Sequence, residues 1–219
     1  MSKQKLAILW DMDGTIVDTK QAHFDTWCDA LQQFGFDLTL EVFNSVFGRN
    51  NRTTLAVFLG FKPDKQLEEE IIRVKEERFR EIACLESNLI PGVEQWLLDA
   101  KNALIPQAIA SSAPMANIKV LLECFNLYDY FDFVVSGEHI PAKPEPDIFL
   151  QAERLFDQKP DHCLVIEDSL AGVKASKAAG MSCIAIAREG KKSDFDIADV
   201  IIEDFQQPLE EILERLGLD

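Results

Sequence analysis

The chain is short of positive charge: 22 Lys and Arg stand against 38 Asp and Glu, a formal net charge of −16 over 219 residues. Phosphate backbones and anionic bilayers are gripped by clustered cations, so nucleic acid and membrane are excluded as partners. No apolar run is long enough to cross a bilayer. The first one, Leu6-Ala7-Ile8-Leu9-Trp10, passes straight into Asp11 and does not read as a leader. A cytoplasmic address is therefore expected. Histidine is scarce, and His23, His139 and His162 lie far apart with no metal-ligand spacing; the last two are expected in loops, without chemistry. The cysteines Cys28, Cys84, Cys124, Cys163 and Cys183 include no Cys-x-x-Cys pair and are expected as reduced core residues. Internal repeats and low-complexity segments are also missing. With 47% hydrophobic residues, the chain can nevertheless bury a substantial core.

What is present is a series of polar groups at the ends of apolar runs. Leu6 to Trp10 lacks polar alternation, as in a strand covered on both faces, and it delivers Asp11-Met12-Asp13-Gly14-Thr15. Ligands of open parallel sheets bind beyond the carboxyl ends of strands, where Asp11 falls. Gly14 is the expected turn residue. Gln107 to Ala110 ends in Ser111-Ser112-Ala113-Pro114, ahead of a helix predicted from Met115 to Phe125. Such a turn can hold phosphate, and the same serines can cap the helix. Phe133 to Ser136 precedes Ala142-Lys143-Pro144-Glu145-Pro146-Asp147, whose prolines hold Lys143 in a stiff frame before a helix from Asp147. A fixed ammonium neutralises transferred phosphoryl charge. Cys163 to Ile166 ends in Glu167-Asp168-Ser169, with a helical run after Gly172. A sparse set of carboxylates beside a phosphate suits magnesium, and a neighbouring aspartate can serve as nucleophile.

These four ordered motifs resemble the haloacid dehalogenase superfamily, and more closely its subgroup of beta-phosphoglucomutases and small sugar-phosphate phosphatases. The stretch Val165-Ile166-Glu167-Asp168-Ser169-Leu170-Ala171-Gly172-Val173, continuing to Ala178-Ala179-Gly180-Met181, is especially similar. The resemblance implies Asp11 as nucleophile and Mg2+ ligand, and Asp13 as general acid and base that also ligates metal through its carbonyl oxygen. It implies Asp168 as a further ligand, Glu167 in the inner or outer shell, Ser111 and Ser112 on the phosphoryl group, and Lys143 bridging nucleophile and phosphoryl. The site residues are thus expected in an α/β fold: a Rossmann-like, doubly wound parallel sheet with an inserted all-helical cap.

Strand and helix signals alternate from about Pro91, with further apolar strands read at Ser182 to Ala187 and Val200 to Ile202, whereas Gln21 to about Cys84 is helical almost throughout. Residues 1–18 and 89–219 are therefore read as the core and 19–88 as the cap, with hinges near Asp18 to Lys20 and Ser87 to Pro91. Within the cap, Glu68 to Glu81 reads as an exposed amphipathic helix carrying Ile71, Ile72, Val74 and Phe79, its charges forming a solvated face.

Thr19, His23 and Trp27 match cap positions of beta-phosphoglucomutase. Val46-Phe47-Gly48-Arg49-Asn50-Asn51-Arg52 departs from it: such mutases carry lysine before the glycine, where this chain has Phe47, and arginine where it has Asn51. Arg52 is adjacent but would point elsewhere. With Arg49 it is a candidate for reversing the local sign in favour of an anionic substrate. The mutase Ser-x-Ser-x-Asn is likewise replaced by Ser111-Ser112-Ala113-Pro114-Met115. The expected function is a Mg2+-dependent phosphatase of a small phosphorylated metabolite, a sugar or polyol phosphate, working as a monomer through an aspartyl-phosphate. A phosphomutase is the alternative. A phospho-receiver module fits poorly because it lacks a helical insertion, and metal-free dehalogenation is disfavoured by Asp13, Glu167 and Asp168.

Overall fold

The computed structural model describes residues 6–156, 159–188 and 192–218. In chain order the elements are β1 (Ala7–Trp10), β2 (Val17–Asp18), α1 (Lys20–Gln33), α2 (Leu40–Asn44), α3 (Asn51–Leu59), α4 (Lys65–Glu86) and β3 (Asn88–Leu89). They continue as α5 (Val93–Asn102), β4 (Gln107–Ser111), α6 (Met115–Cys124), β5 (Phe133–Ser136), α7 (Asp147–Leu155), β6 (Cys163–Glu167), α8 (Leu170–Ala178), β7 (Ser182–Ile186), β8 (Val200–Ile202) and α9 (Leu209–Leu216).

Six strands form one parallel sheet in the order β5-β4-β1-β6-β7-β8. The apolar runs identified from sequence supply all six, because a strand buried on both faces needs no polar alternation. Along β1, Ile8 and Trp10 enter the core on one face while Ala7 and Leu9 enter the core on the other. Trp10 pairs in register with Ile109 on β4 and Ile166 on β6, which fixes how far each neighbouring strand projects. The chain runs outward from β1 through β4 and β5, then crosses back to β6 on the opposite side. A crevice opens at such a reversal, beyond the strands' carboxyl ends. Asp11, Ser111 and Glu167 all stand there.

Helices α1 to α4 lie between β2 and β3, two short antiparallel strands that the sequence did not reveal. They have a core of their own around Trp27, Leu31, Phe43, Leu55 and Ile71. Helix α4 belongs to both bodies: Ile71 enters the insert's core, whereas Phe79, Ile82 and Ala83 enter the core beneath the sheet. The amphipathic reading of α4 stands, but the reading of its charges as a solvated face is corrected at two positions, since Lys75 is 1% and Glu76 6% exposed. Both lie on the side of the helix that must be buried for its apolar residues to pack.

The expectation of five reduced core cysteines is also corrected. Cys84, exposed at the end of α4, is disulfide-bonded to Cys124 of α6 across a Cα–Cα distance of 5.5 Å. The 40-residue separation hides the pair in sequence; the packing of α4 on α6 creates it. Cys163 and Cys183 are buried and free, and burial pushes both thiols up to about 12. His139 and His162 lie in short 3-10 turns. Among the described residues, no helix is long and apolar enough to cross a membrane.

Candidate active site

The sheet supplies one wall of the site. Asp11 continues β1, its N–H donating to the Ile166 carbonyl of β6 at 3.0 Å. The chain then turns at Gly14, whose φ of +86° favours glycine. A Cβ at Gly14 would lie 2.1 Å from Asp168 Oδ2, so the missing side chain also makes room for a carboxylate. Thr15 Oγ1 donates to Asp168 Oδ1 at 3.2 Å. Glycine serves the same purpose at Gly172, where a Cβ would strike the Glu167 carboxylate.

Lys143 reaches into the middle of this wall. Its Nζ donates to Asp11 Oδ1 at 2.5 Å, Glu167 Oε1 at 2.6 Å and the Ala110 carbonyl at 3.2 Å. Glu167 Oε2 accepts from the Ser169 N–H at 2.7 Å. Oxygens of Asp11, Glu167 and Asp168 all lie within 4.8 Å of one another. Three ionised carboxylates against one ammonium would carry a net charge of −2, so without a cation protonation of the cluster is favoured. Burial, with Glu167 and Asp13 adding to it, pushes the Asp11 carboxyl up to about 8 against the pull of Lys143. Burial and the Glu167 and Asp11 charges hold Asp168 well above the carboxylate range. Lys143 is raised despite burial, by Asp11 and Glu167. An all-oxygen donor set whose carboxylates ionise together only when a cation offsets them fits a divalent ion such as Mg2+.

Asp13 faces the other way. Its Oδ1 accepts from Thr19 Oγ1 at 2.7 Å and lies 3.2 Å from His23 Nε2. Burial alone would raise Asp13, but the hydrogen bonds from His23 and Thr19, with the Lys75 charge, hold it below its ordinary value. His23 stacks on Phe79 with ring centroids 4.2 Å apart, and burial and Lys75 depress it, favouring the neutral ring. The Asp13 side chain is thus outside the carboxylate cluster; only its carbonyl oxygen is left as the ligand the resemblance implied.

Ser111 and Ser112 face the cavity. Neither caps α6: the cap position is Pro114, no side chain caps the helix, and Ser111 Oγ accepts from the Ala113 N–H at 3.1 Å. The capping role open to these serines in sequence is therefore corrected. Proline at that position leaves the helix end without a side-chain acceptor, in keeping with a site for an anion.

The helical insert supplies the opposite wall. His23, Trp27, Phe43, Phe47, Arg49 and Asn51 line a cavity of about 70 Å³ shared with Asp11, Asp13 and Asp168. Two residues missed in sequence line it as well, Lys75 and Glu76. Lys75 Nζ donates to Glu76 Oε1 at 2.8 Å and lies 5.5 Å from the Trp27 ring centre. Asn51 Nδ2 donates to the same Glu76 oxygen at 2.6 Å. The spacing Ile71, Lys75, Phe79 puts a lysine in the apolar stripe of α4, and that was the available signal. Arg52, expected near the substrate, is 71% exposed and pairs with Glu68 at 3.0 Å, outside the cavity. It points away because it follows Asn51 by 100° around α3.

A parallel α/β sheet with an aspartate, a lysine and a cation-ready carboxylate cluster at its switch point defines an enzyme of phosphoryl chemistry. The chain belongs to the haloacid dehalogenase-like hydrolases, matching that family over residues 8–186. It is 31% identical over 181 residues to a phosphorylated carbohydrates phosphatase of Thermotoga maritima, covering 81% of this chain and 83% of that one. It is 28% identical over 190 residues to the beta-phosphoglucomutase of Bacillus subtilis, with 83% of each covered. Its fold superposes on a beta-phosphoglucomutase of Clostridium difficile with a TM-score of 0.86, over 97% of both chains at 24% identity. The chain spans only 18% of one much longer relative, to which it is 32% identical over 188 residues.

Proposed function

We propose that this enzyme is a Mg2+-dependent phosphatase of a small phosphorylated sugar or polyol, acting through a phosphorylated Asp11. The observation that carries the reading is Lys143, buried between Asp11 and Glu167 and beside Asp168 in a cluster of three carboxylates against one ammonium. Asp11, Asp168 and the Asp13 carbonyl would hold Mg2+, with Glu167 outside them, since its oxygens are engaged by Lys143 and Ser169. The cation would offset the charge of the phosphate and of the carboxylates that must meet it.

Asp11 attacks the phosphorus, an O–P bond forms, and the ester O–P bond breaks. Asp13 supplies the proton to the leaving alkoxide. Lys143 and the Ser111–Ser112 turn balance the charge on the transferring group. Water then attacks the phosphorylated Asp11, Asp13 takes its proton, and inorganic phosphate leaves with Asp11 restored. The depressed Asp13 is poised as the base of the second step; an incoming phosphate dianion raises it toward the acid of the first.

Two features favour hydrolysis over mutase chemistry. Phe47 stands where a mutase lysine would, and the Asn51 amide is spent on Glu76. Lys75 is paired with Glu76, which leaves Arg49 as the cation the insert offers an anionic substrate. The relatives named as a carbohydrate phosphatase and a sugar phosphomutase support a sugar phosphate. The chamber of about 70 Å³ is smaller than the several hundred cubic ångströms a metabolite needs. Residues 19–88 therefore act as a cap that swings away on the β2–β3 ribbon for entry and closes against water.

The test is a screen of phosphorylated metabolites with Mg2+ and with EDTA. Steady phosphate release that EDTA abolishes, without a bisphosphate activator, is expected. Isomerisation of beta-glucose 1-phosphate with negligible phosphate release would overturn the reading in favour of a phosphomutase.

A further inference from the structure

Helices α4 and α6 meet along a polar seam. Glu76, Arg80 and Cys84 are spaced four apart on α4 and so share one face. On α6, Asn117 meets the first two and Cys124 the third. Asn117 is 1% exposed on a helix whose other buried residues are Ile118, Leu121 and Leu122. A buried amide in such a face is costly unless all its groups are satisfied. Here both polar atoms are engaged: Nδ2 donates to Glu76 Oε2, and Oδ1 accepts from Arg80 Nη1 at 3.1 Å.

Glu76 is equally committed. Its carboxylate accepts from Lys75 and Asn51, both in the insert, and from Asn117 on the sheet side. It also stands between two spaces, lining the reaction chamber and a neighbouring cleft of about 720 Å³ between insert and core. Where Glu76 sits thus decides where the Lys75 ammonium and the Asn51 amide stand in the chamber wall. Among its described partners, Asn117 alone comes from outside the insert.

We propose that Asn117 is a positioning residue: by clasping Glu76 it docks α4 on α6 and sets Lys75 and Asn51 in the wall that meets the substrate's leaving group. The clasp is made only when insert and core are together, so it couples docking of the insert to completion of the chamber. This rests on the phosphatase reading above. The transferring phosphate would meet Asp11, Lys143 and the Ser111–Ser112 turn, whereas the Asn117 side chain bonds, among the described residues, only to Glu76 and Arg80.

The test uses the full chain with Mg2+, the best sugar phosphate from the screen, and inorganic phosphate as a competing product. Asn117→Ala is expected to lower kcat/KM on the order of ten-fold while the inhibition constant of inorganic phosphate stays within about two-fold. Asn117→Asp, which sets a carboxylate against Glu76, is expected to be worse, and adding Glu76→Gln to it, which reverses donor and acceptor, to recover part of the loss. Unchanged kcat/KM in a folded Asn117→Ala protein overturns the proposal, as does an equal loss of phosphate binding, which would mark general damage. Should Asn117→Ala fail to fold, Glu76→Gln alone must show the same split. If the wild type releases no phosphate from any substrate, the phosphatase reading fails; hydrogen exchange then tests the clasp alone. Faster exchange of α4 amides in Asn117→Ala, with the strands unaffected, supports it, and unchanged exchange overturns it.

Discussion

On the sheet side of the chamber, Asp11, Ser111 and Glu167 each end or follow a buried strand, and neighbouring strands hold them in register. On the helical side, Asn51, Lys75 and Glu76 come from the first residue of α3 and the middle of α4, and their position depends on how those helices dock. The first wall is placed by hydrogen-bonded ladders that cannot slip by one residue without turning every side chain over. The second is placed by side-chain packing, which can slide and rotate. Under the proposed function, chemistry common to all phosphate esters would belong on the sheet, and discrimination between leaving groups on the insert.

The largest expected effect lies on the rigid wall. Asp11→Asn should cost at least about 10³-fold in turnover while far-UV circular dichroism stays unchanged. Activity above a few per cent of wild type would take Asp11 out of the nucleophile's role. Lys143→Ala should cost about 10²- to 10³-fold in kcat, since it removes the ammonium beside the transferring group. A loss confined to KM would place Lys143 in ground-state binding only.

The bond between the two bodies sharpens the comparison by stability. Cys84→Ser opens a 40-residue loop and should destabilise by about 4 kcal/mol. Loss of Tm in the variant, matched by dithiothreitol on wild type, is the expected outcome; identical melting with and without reductant would show that the link contributes nothing. The smallest effect concerns pH. A carboxyl raised from 3.8 to about 8 keeps its proton in the fold and loses it on unfolding. The folded state then binds more protons across that window, so stability falls as pH rises from about 4 to about 8. In EDTA, Tm should fall over this range, and Mg2+ should restore it at the alkaline end. Tm rising with pH in EDTA would contradict the placement of the carboxylates.

The sheet wall was legible because each of its residues interrupts an apolar run with an Asp, Ser or Glu, a change that a strand buried on both faces tolerates only at its end. Gly14 was legible for a related reason, being a turn residue directly after the two aspartates. The helical wall was not. Lys75 and Glu76 sit in a stretch so rich in Lys and Glu that it reads as solvated, and only the coincidence of Lys75 with the Ile71–Phe79 stripe marks it as buried. Arg52 illustrates the reverse error, a cation close in sequence to the chamber but turned toward Glu68. Asn117 and the Cys84–Cys124 pair had no local signal, because each acquires its partner from an element some 40 residues away.

The order of residues by itself determined the six core strands, the helical block between the first two motifs, and the polar groups at the strand ends. Those follow from local rules of periodicity, turn chemistry and burial, which act over a few residues. Only the tertiary structure decided the strand order, the turning of Asp13 toward His23 and Thr19, and the seam of α4 on α6. These depend on which surfaces meet, and a contact between distant segments is chosen by the packing of the whole chain.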